Sequence, residues 1–210
     1  MQASEAGQVR GRPRAFDREA VLGRAMRLFW ERGYAATSIS DLTEAMGIGA
    51  PSLYATFGSK ALLYAEAIEQ YQKQYENWTW SGFLTAPTAR AAVERLLMDS
   101  AAVLTGSCSE GDPLGCMVTL SAVQNEGQAH LGDLVIAARN RSLMRLKDRL
   151  SAAVVGEEID AAVDIPALAR YIVTVQNGMS IQARDGASRS ELEAVARMAM
   201  VGWDAQTRPS

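Results

Sequence analysis

The chain is predicted to be all-α, with about nine helices: an N-terminal three-helix unit over residues 1–58 and a helical body over residues 59–210. Three observations predict this. Apolar residues recur at helical spacing, as in Ile39, Leu42 and Met46 or Leu131, Leu134 and Ala138. Such stretches are preceded by capping residues (Asp17, Ser38, Ser59, Asp164, Ser188) and followed by glycines (Gly33, Gly47, Gly58, Gly156, Gly186). No segment alternates with strand periodicity, and there is no internal repeat.

Residues 1–15, rich in Gly, Gln and Arg, are expected to be disordered without a partner. Asp17 caps the first helix, with Phe16 stapled onto Val21 across its start, and Val21, Leu22, Ala25, Leu28 and Phe29 form its inner stripe up to Gly33. Ser38 and Asp41 stand in capping-box register ahead of the second helix. Gly47-Ile48-Gly49 is a turn, with Ile48 plugging the angle between helices. The third helix, about Ala50 to Phe57, buries Leu53 and Phe57 and leaves Pro51, Ser52, Ala55 and Thr56 facing out. This is a helix-turn-helix whose second helix is free to enter a major groove.

These residues also carry a resemblance. Gly47-Ile48-x-x-x-Ser52-Leu53-Tyr54-x-x-Phe57-x-Ser59-Lys60, preceded by Phe29-x-x-x-Gly33-Tyr34-x-x-Thr37-Ser38-Ile39, resembles the DNA-binding domain of the tetracycline-repressor (TetR) family over roughly residues 10 to 65. The resemblance implies a homodimeric transcriptional regulator, most often a repressor, acting on double-stranded operator DNA. Arg12 and Arg14 are then expected at phosphate or minor groove, and Thr37, Ser38, Tyr54 and Lys60 at phosphate. Pro51, Ser52 and Thr56 would face base edges, Pro51 suiting a thymine methyl, with Ala50 beside them. Ala50 and Ala55 depart from related proteins, which often place basic or polar residues there.

A long helix is expected from Lys60 to about Asn77, followed by an aromatic cluster of Trp78, Trp80 and Phe83. A helix from Thr88 to Leu104 leads to a loop over Gly106 to Asp112 containing Cys108. Asp112-Pro113 reads as the N-cap and first residue of a helix bearing Cys116, Leu120 and Val123. His130, the chain's single histidine, is expected in a loop. Leu131 to Val154 supplies one stripe of a long amphipathic helix whose other face (Arg141, Arg145, Asp148, Arg149) reads as solvated surface. Asp164-Ile165-Pro166 starts a strongly apolar helix reaching Arg184, and Ser188-x-x-Glu191 caps a last one continuing to about Trp203.

Net charge is −3, but residues 1–60 carry a balance of +2 and residues 61–210 one of −5. A small basic reading head on an acidic body is compatible with DNA binding, where local phosphate contacts outweigh the global sum. No apolar run spans a bilayer and no signal-peptide core is present, so the expectation is a cytoplasmic protein with no membrane partner. Zinc spacing, a Walker loop, a GxSxG elbow and a Rossmann glycine pattern are all absent, so no cofactor, metal or catalytic residue is expected. A helical scaffold or unrecognised enzyme without DNA binding is the bland alternative.

The body is larger than dimerisation needs. Tyr71, Trp78, Phe83, Leu97, Ala101, Met117, Leu120, Gln124, Met144, Tyr171, Val175 and Gln176 lie on faces that could converge on a mostly apolar pocket for a small hydrophobic or aromatic effector, with Gln124, Tyr171 and Gln176 orienting it. The last two helices are apolar around more of their circumference than a monomer's surface can use; Gly178, Met179, Gln182, Val195, Met198, Ala199 and Gly202 are expected at a dimer interface. Cys116, read as lying early in a helix, and Cys108, in a nearby glycine-rich loop, offer an alternative signal: oxidation or attack on an electrophile by a thiolate.

Overall fold

The computed structural model describes residues 17–107, 111–122 and 127–207, and among these it contains ten helices and no strand. The head comprises α1 (Arg18–Arg32), α2 (Ile39–Met46) and α3 (Ala50–Phe57). The Asp17 side chain accepts hydrogen bonds from the Glu19 and Ala20 amides, and Gly33, at φ 83°, ends α1. Gly47 takes the left-handed conformation at φ 69° and sends its N–H back to Thr43 and Glu44, which makes the sharp turn that sets α3 across α2. Phe16 and the arginine-rich arm lie outside the described residues.

The body comprises α4 (Lys60–Thr85), α5 (Ala89–Leu104), α6 (Met117–Leu120), α7 (Ala129–Val155), α8 (Ile165–Arg184), α9 (Arg189–Val201) and α10 (Trp203–Thr207). Three boundaries differ from the sequence reading. α4 does not stop near Asn77 but continues through Trp78, Trp80 and Phe83 to Thr85, because no proline intervenes before Pro87, the single Gly82 is tolerated, and the buried Trp80 and Phe83 pack edge to face at 5.2 Å. The last helix ends at Val201, and the chain re-forms a short helix after Gly202. His130 is not in a loop; it lies exposed in the first turn of α7.

The expected helix after Asp112-Pro113 is the largest correction. Residues 111–116 are irregular, and α6 is a four-residue turn capped by Cys116, whose Sγ accepts from the Thr119 amide at 3.5 Å. Asp112 is not the N-cap of this helix. Its carboxylate accepts from Arg27 Nε of α1 at 2.7 Å and from the Tyr75 hydroxyl of α4. A long-range charge partner displaced the local cap.

Two apolar clusters hold the molecule. One joins the distal half of α4 to α5, the end of α7, α8, α9 and Trp203. The other contains the head core (Phe29, Leu42, Leu53, Phe57) and runs on through Tyr64, Tyr71 and Tyr75 of α4 to Met117, Leu131 and Val135. The head therefore shares a core with the near end of the body, and α4, about 39 Å long at 1.5 Å per residue, belongs to both clusters.

Candidate nucleic-acid interface and regulatory cavity

α3 is amphipathic over only eight residues. Leu53 and Phe57 point into the core, while Pro51, Ser52, Tyr54 and Ala55 are exposed and Ala50 and Thr56 are half-buried. Pro51 sits in the first turn, where its missing N–H costs no helical bond. Tyr54 keeps 47% of its surface exposed, and the Lys60 ammonium lies 4.2 Å from the centroid of the Tyr34 ring.

Two of the residues assigned to phosphate are otherwise engaged. Thr37 is fully buried and its hydroxyl donates to the Gly33 carbonyl at 2.7 Å, so it shapes the α1–α2 turn instead of facing DNA. Ser38 is exposed, but its hydroxyl and amide both donate to Asp41 Oδ2, at 2.6 and 2.8 Å. Those bonds, the hydroxyl's first, hold the Asp41 carboxyl below its ordinary range. Arg12 and Arg14 lie outside the described residues.

Above the head, α4, α5, α6, α7 and α8 enclose a cavity of about 120 Å³. Tyr71, Tyr75 and Trp80 form an aromatic wall; Val103, Leu104, Val118 and Val173 form an apolar one. The rest is polar. Ser100 accepts from Gln176 Nε2 at 2.8 Å, Thr119 donates to Asn177 Oδ1 at 3.3 Å, and the Ser180 hydroxyl accepts from the Cys116 amide at 2.8 Å. The face of α7 read as solvated surface supplies Arg141 and Arg145, together with Arg139. Burial, followed by its interaction with the Cys116 thiol, pushes the Tyr71 phenol well above its ordinary value, so it stays a neutral hydroxyl.

Of the residues assigned to the pocket, Tyr71 and Gln176 border the cavity, and Cys116 joins them. Phe83, Leu97 and Ala101 are buried in the body core, and Val175 packs against it. Met117 is buried in the cluster shared with the head, and Leu120 is half-buried, close to Gly115. Trp78, Met144 and Tyr171 are exposed, while Gln124 and Cys108 lie outside the described residues. The misplacements share a cause. An apolar side chain at helical spacing signals burial without saying whether protein or a cavity covers it, and the cavity's distinguishing residues are polar.

The outer face of α8 and α9 carries Tyr171, Ile181, Val195, Met198 and Val201, the last two 73% and 78% exposed. Gln182 is exposed and Gly178 and Gly202 are half-buried on the same helices. Met179 and Ala199, assigned to this face, instead turn inward, Met179 to 1% exposure, because they fall on the opposite side of their helices.

A three-helix head presenting an exposed second helix of a helix-turn-helix, continuous with a helical body, defines a DNA-binding protein of the helix-turn-helix class. Residues 21–67 match the family described as bacterial regulatory proteins, tetR family. The chain is 33% identical over 198 residues to the HTH-type transcriptional repressor ComR of Escherichia coli K12, covering 92% of each protein. It is 30% identical over 203 residues to the repressor BdcR of the same organism, covering 95% of each. A cysteine-substituted form of the TetR-family regulator CifR, solved with 26-bp double-stranded operator DNA, superposes with a TM-score of 0.84 at 40% identity, over 91% of this chain and 100% of that one. The chain belongs to the TetR family: it is a DNA-binding transcriptional regulator and not an enzyme. No helix among the described residues is long and apolar enough to cross a membrane.

Proposed function

We propose that the protein is a homodimeric repressor that holds a palindromic operator with two α3 helices and lets go when a small effector occupies the cavity. The observation that carries this reading is the continuity of the cores. Tyr71 and Tyr75 border the cavity and pack, through Trp30, on the head, with ring centroids 4.9 and 5.1 Å apart. A molecule that displaces either tyrosine acts on α1 directly. Paired heads would sit one helical turn apart, about 34–36 Å, and the exposed apolar face of α8 and α9 supports the pairing.

The test is a salt-titrated binding assay on DNA flanking the protein's own gene. Lys60→Ala is expected to weaken binding to operator and random DNA alike and to reduce the salt slope by about one. Ser52→Ala and Thr56→Ala are expected to erode the preference for operator. An unchanged slope in the Lys60 variant would remove that residue from the interface.

A second reading has its own observation: Cys116 is half-buried on the cavity wall, against Tyr71. If its thiol carries the signal, peroxide should release operator from the wild type and not from Cys116→Ser. Small organic compounds under reducing conditions should then release neither.

A further inference from the structure

The charges around the cavity do not balance. Its lining includes three guanidinium groups, Arg139, Arg141 and Arg145, and one carboxylate, Glu76, in a chain whose overall charge is −3. Glu76 is consumed by Arg145, which also lies 4.8 Å over the Trp80 ring. Arg139 spends Nε and one Nη on neutral acceptors, the carbonyls of Val118, Thr119 and Ser121, at 3.1, 2.9 and 2.6 Å. Arg141 donates to the neutral amide oxygen of Gln72. Among the described residues neither Arg139 nor Arg141 has a carboxylate within ion-pair distance.

Guanidiniums bordering a partly enclosed cavity, bonded only to neutral oxygens, are suited to an anion, and the planar fork of arginine fits a carboxylate in particular. The lining also holds the aromatic rings of Tyr71, Tyr75 and Trp80, and the cavity's free volume corresponds to about ten small heavy atoms, taking roughly 10–15 Å³ for each water-sized occupant.

We propose that the effector of this cavity is a small organic acid: a carboxylate that exchanges for Gln72 on Arg141 and takes the remaining Nη of Arg139, with a flat or compact apolar body against Tyr71, Tyr75 and Trp80. The proposal rests on the reading of the cavity as the effector site and names the class of molecule it selects. It also explains why α7 brings two arginines without a carboxylate partner to the cavity lining: they supply the affinity, and the aromatic rings supply the shape. Arg141 is the residue to vary. Arg139 holds the main chain of residues 118–121, so its loss would disturb the wall itself.

The experiment is calorimetric titration of the full chain, under reducing conditions and at constant ionic strength, with three probes of similar size: benzoate, its neutral isostere benzamide, and benzyl alcohol. Benzoate is expected to bind at least tenfold more tightly than either neutral probe. Arg141→Gln should cut benzoate affinity by tenfold to a hundredfold, the range for losing a charged hydrogen bond, and leave the neutral probes unchanged. Arg141→Lys should fall between, since it keeps the charge and loses the fork. Thermal melts of each variant control for folding. Equal affinity for the three probes, or a benzoate affinity indifferent to Arg141→Gln, would overturn the organic-acid proposal and leave the effector cavity standing. Failure of all three to bind or to raise the melting temperature would overturn both.

Discussion

In the turn from α1 to α2, polar groups are satisfied by near neighbours: Ser38 and Asp41 cap each other across three residues, and Thr37 closes onto Gly33 four residues back. The body adds ties that reach much further. Arg139 spans 18 to 21 residues to three carbonyls, Asp112 binds Arg27 across 85, and Arg184 donates to Trp30 and Glu31 across 154 and 153. The difference has a functional sense. A reading head must keep one shape, which local caps and turns ensure, whereas a regulatory body must tie distant elements together so that a change in one place is felt in another. A ligand shifts such a molecule only by binding two arrangements unequally. The ties from Asp112 and Arg184 into α1 are where unequal binding would be felt, and Tyr75 belongs both to one of them and to the cavity wall.

The largest expected effect breaks the comparison at the level of assembly. A Cβ built on Gly178 meets nothing within 4 Å, so Gly178→Leu enters open space at its Cβ and improves helix propensity by about 1 kcal/mol. Across a symmetric dimer the same leucine would overpack the crossing, at about 1–3 kcal/mol. The variant should therefore melt no earlier within its own fold, yet sediment as a monomer and lose about a hundredfold or more in operator affinity as the second head is uncoupled. A Gly178→Leu protein that stays dimeric would place the interface elsewhere.

Next come the two ties into α1. Arg184→Met removes donors from the carbonyls of Leu114, Trp30 and Glu31 and is expected to cost about 2–3 kcal/mol. Asp112→Asn should cost less, about 1–2 kcal/mol, because the side chain of Arg27 is 45% exposed and can return to water. Hydrogen exchange sharpens the point. Both variants should lose amide protection in the last turns of α1 while α5 keeps its own. Uniform loss across the molecule would mean that the ties serve global stability and not the joint.

The same contrast decides what was legible in the sequence. The head was read nearly to the residue, since Ser38, Asp41, Gly47 and Gly58 act over one turn and every partner lies within a few positions. Thr37 was misplaced because a threonine ahead of a helix looks like a surface residue until its hydroxyl finds the carbonyl four back. In the body the helices were found but their roles were not. Asp112-Pro113 has the local signature of a helix start, and only the tertiary approach of Arg27 and Tyr75 reveals why the aspartate does something else. Arg141 and Arg145 followed the rule that a charged face is solvated. Arg141 is indeed exposed, yet the same face also borders the cavity, where α4 brings Gln72 to Arg141 and Glu76 and Trp80 to Arg145.

The smallest effect separates two caps of one design, one in each region. Ser38 and Asp41 begin α2, Ser188 and Glu191 begin α9, and both form reciprocal capping boxes. In each, the serine hydroxyl first and the serine amide second hold the carboxyl below its ordinary range. A depressed folded pKa means that the stabilisation is fully present above the unfolded value of about 4. It is lost as pH falls through the lower, folded value. The head's carboxylate is also held down by the nearby charges of Arg32 and Lys60; Glu191 has no comparable cation among its causes. Carboxyl-carbon NMR titrations should therefore show Ser38→Ala raising only Asp41 and Ser188→Ala raising only Glu191, each with a modest loss of Tm. Raising salt to about 0.5 M, where screening acts within roughly 4–5 Å, should lift Asp41 further and leave Glu191 in place. If both carboxyls move equally with salt, the head's cap owes nothing to its basic surroundings. Lys60 would then keep its seat over Tyr34 without contributing to that cap.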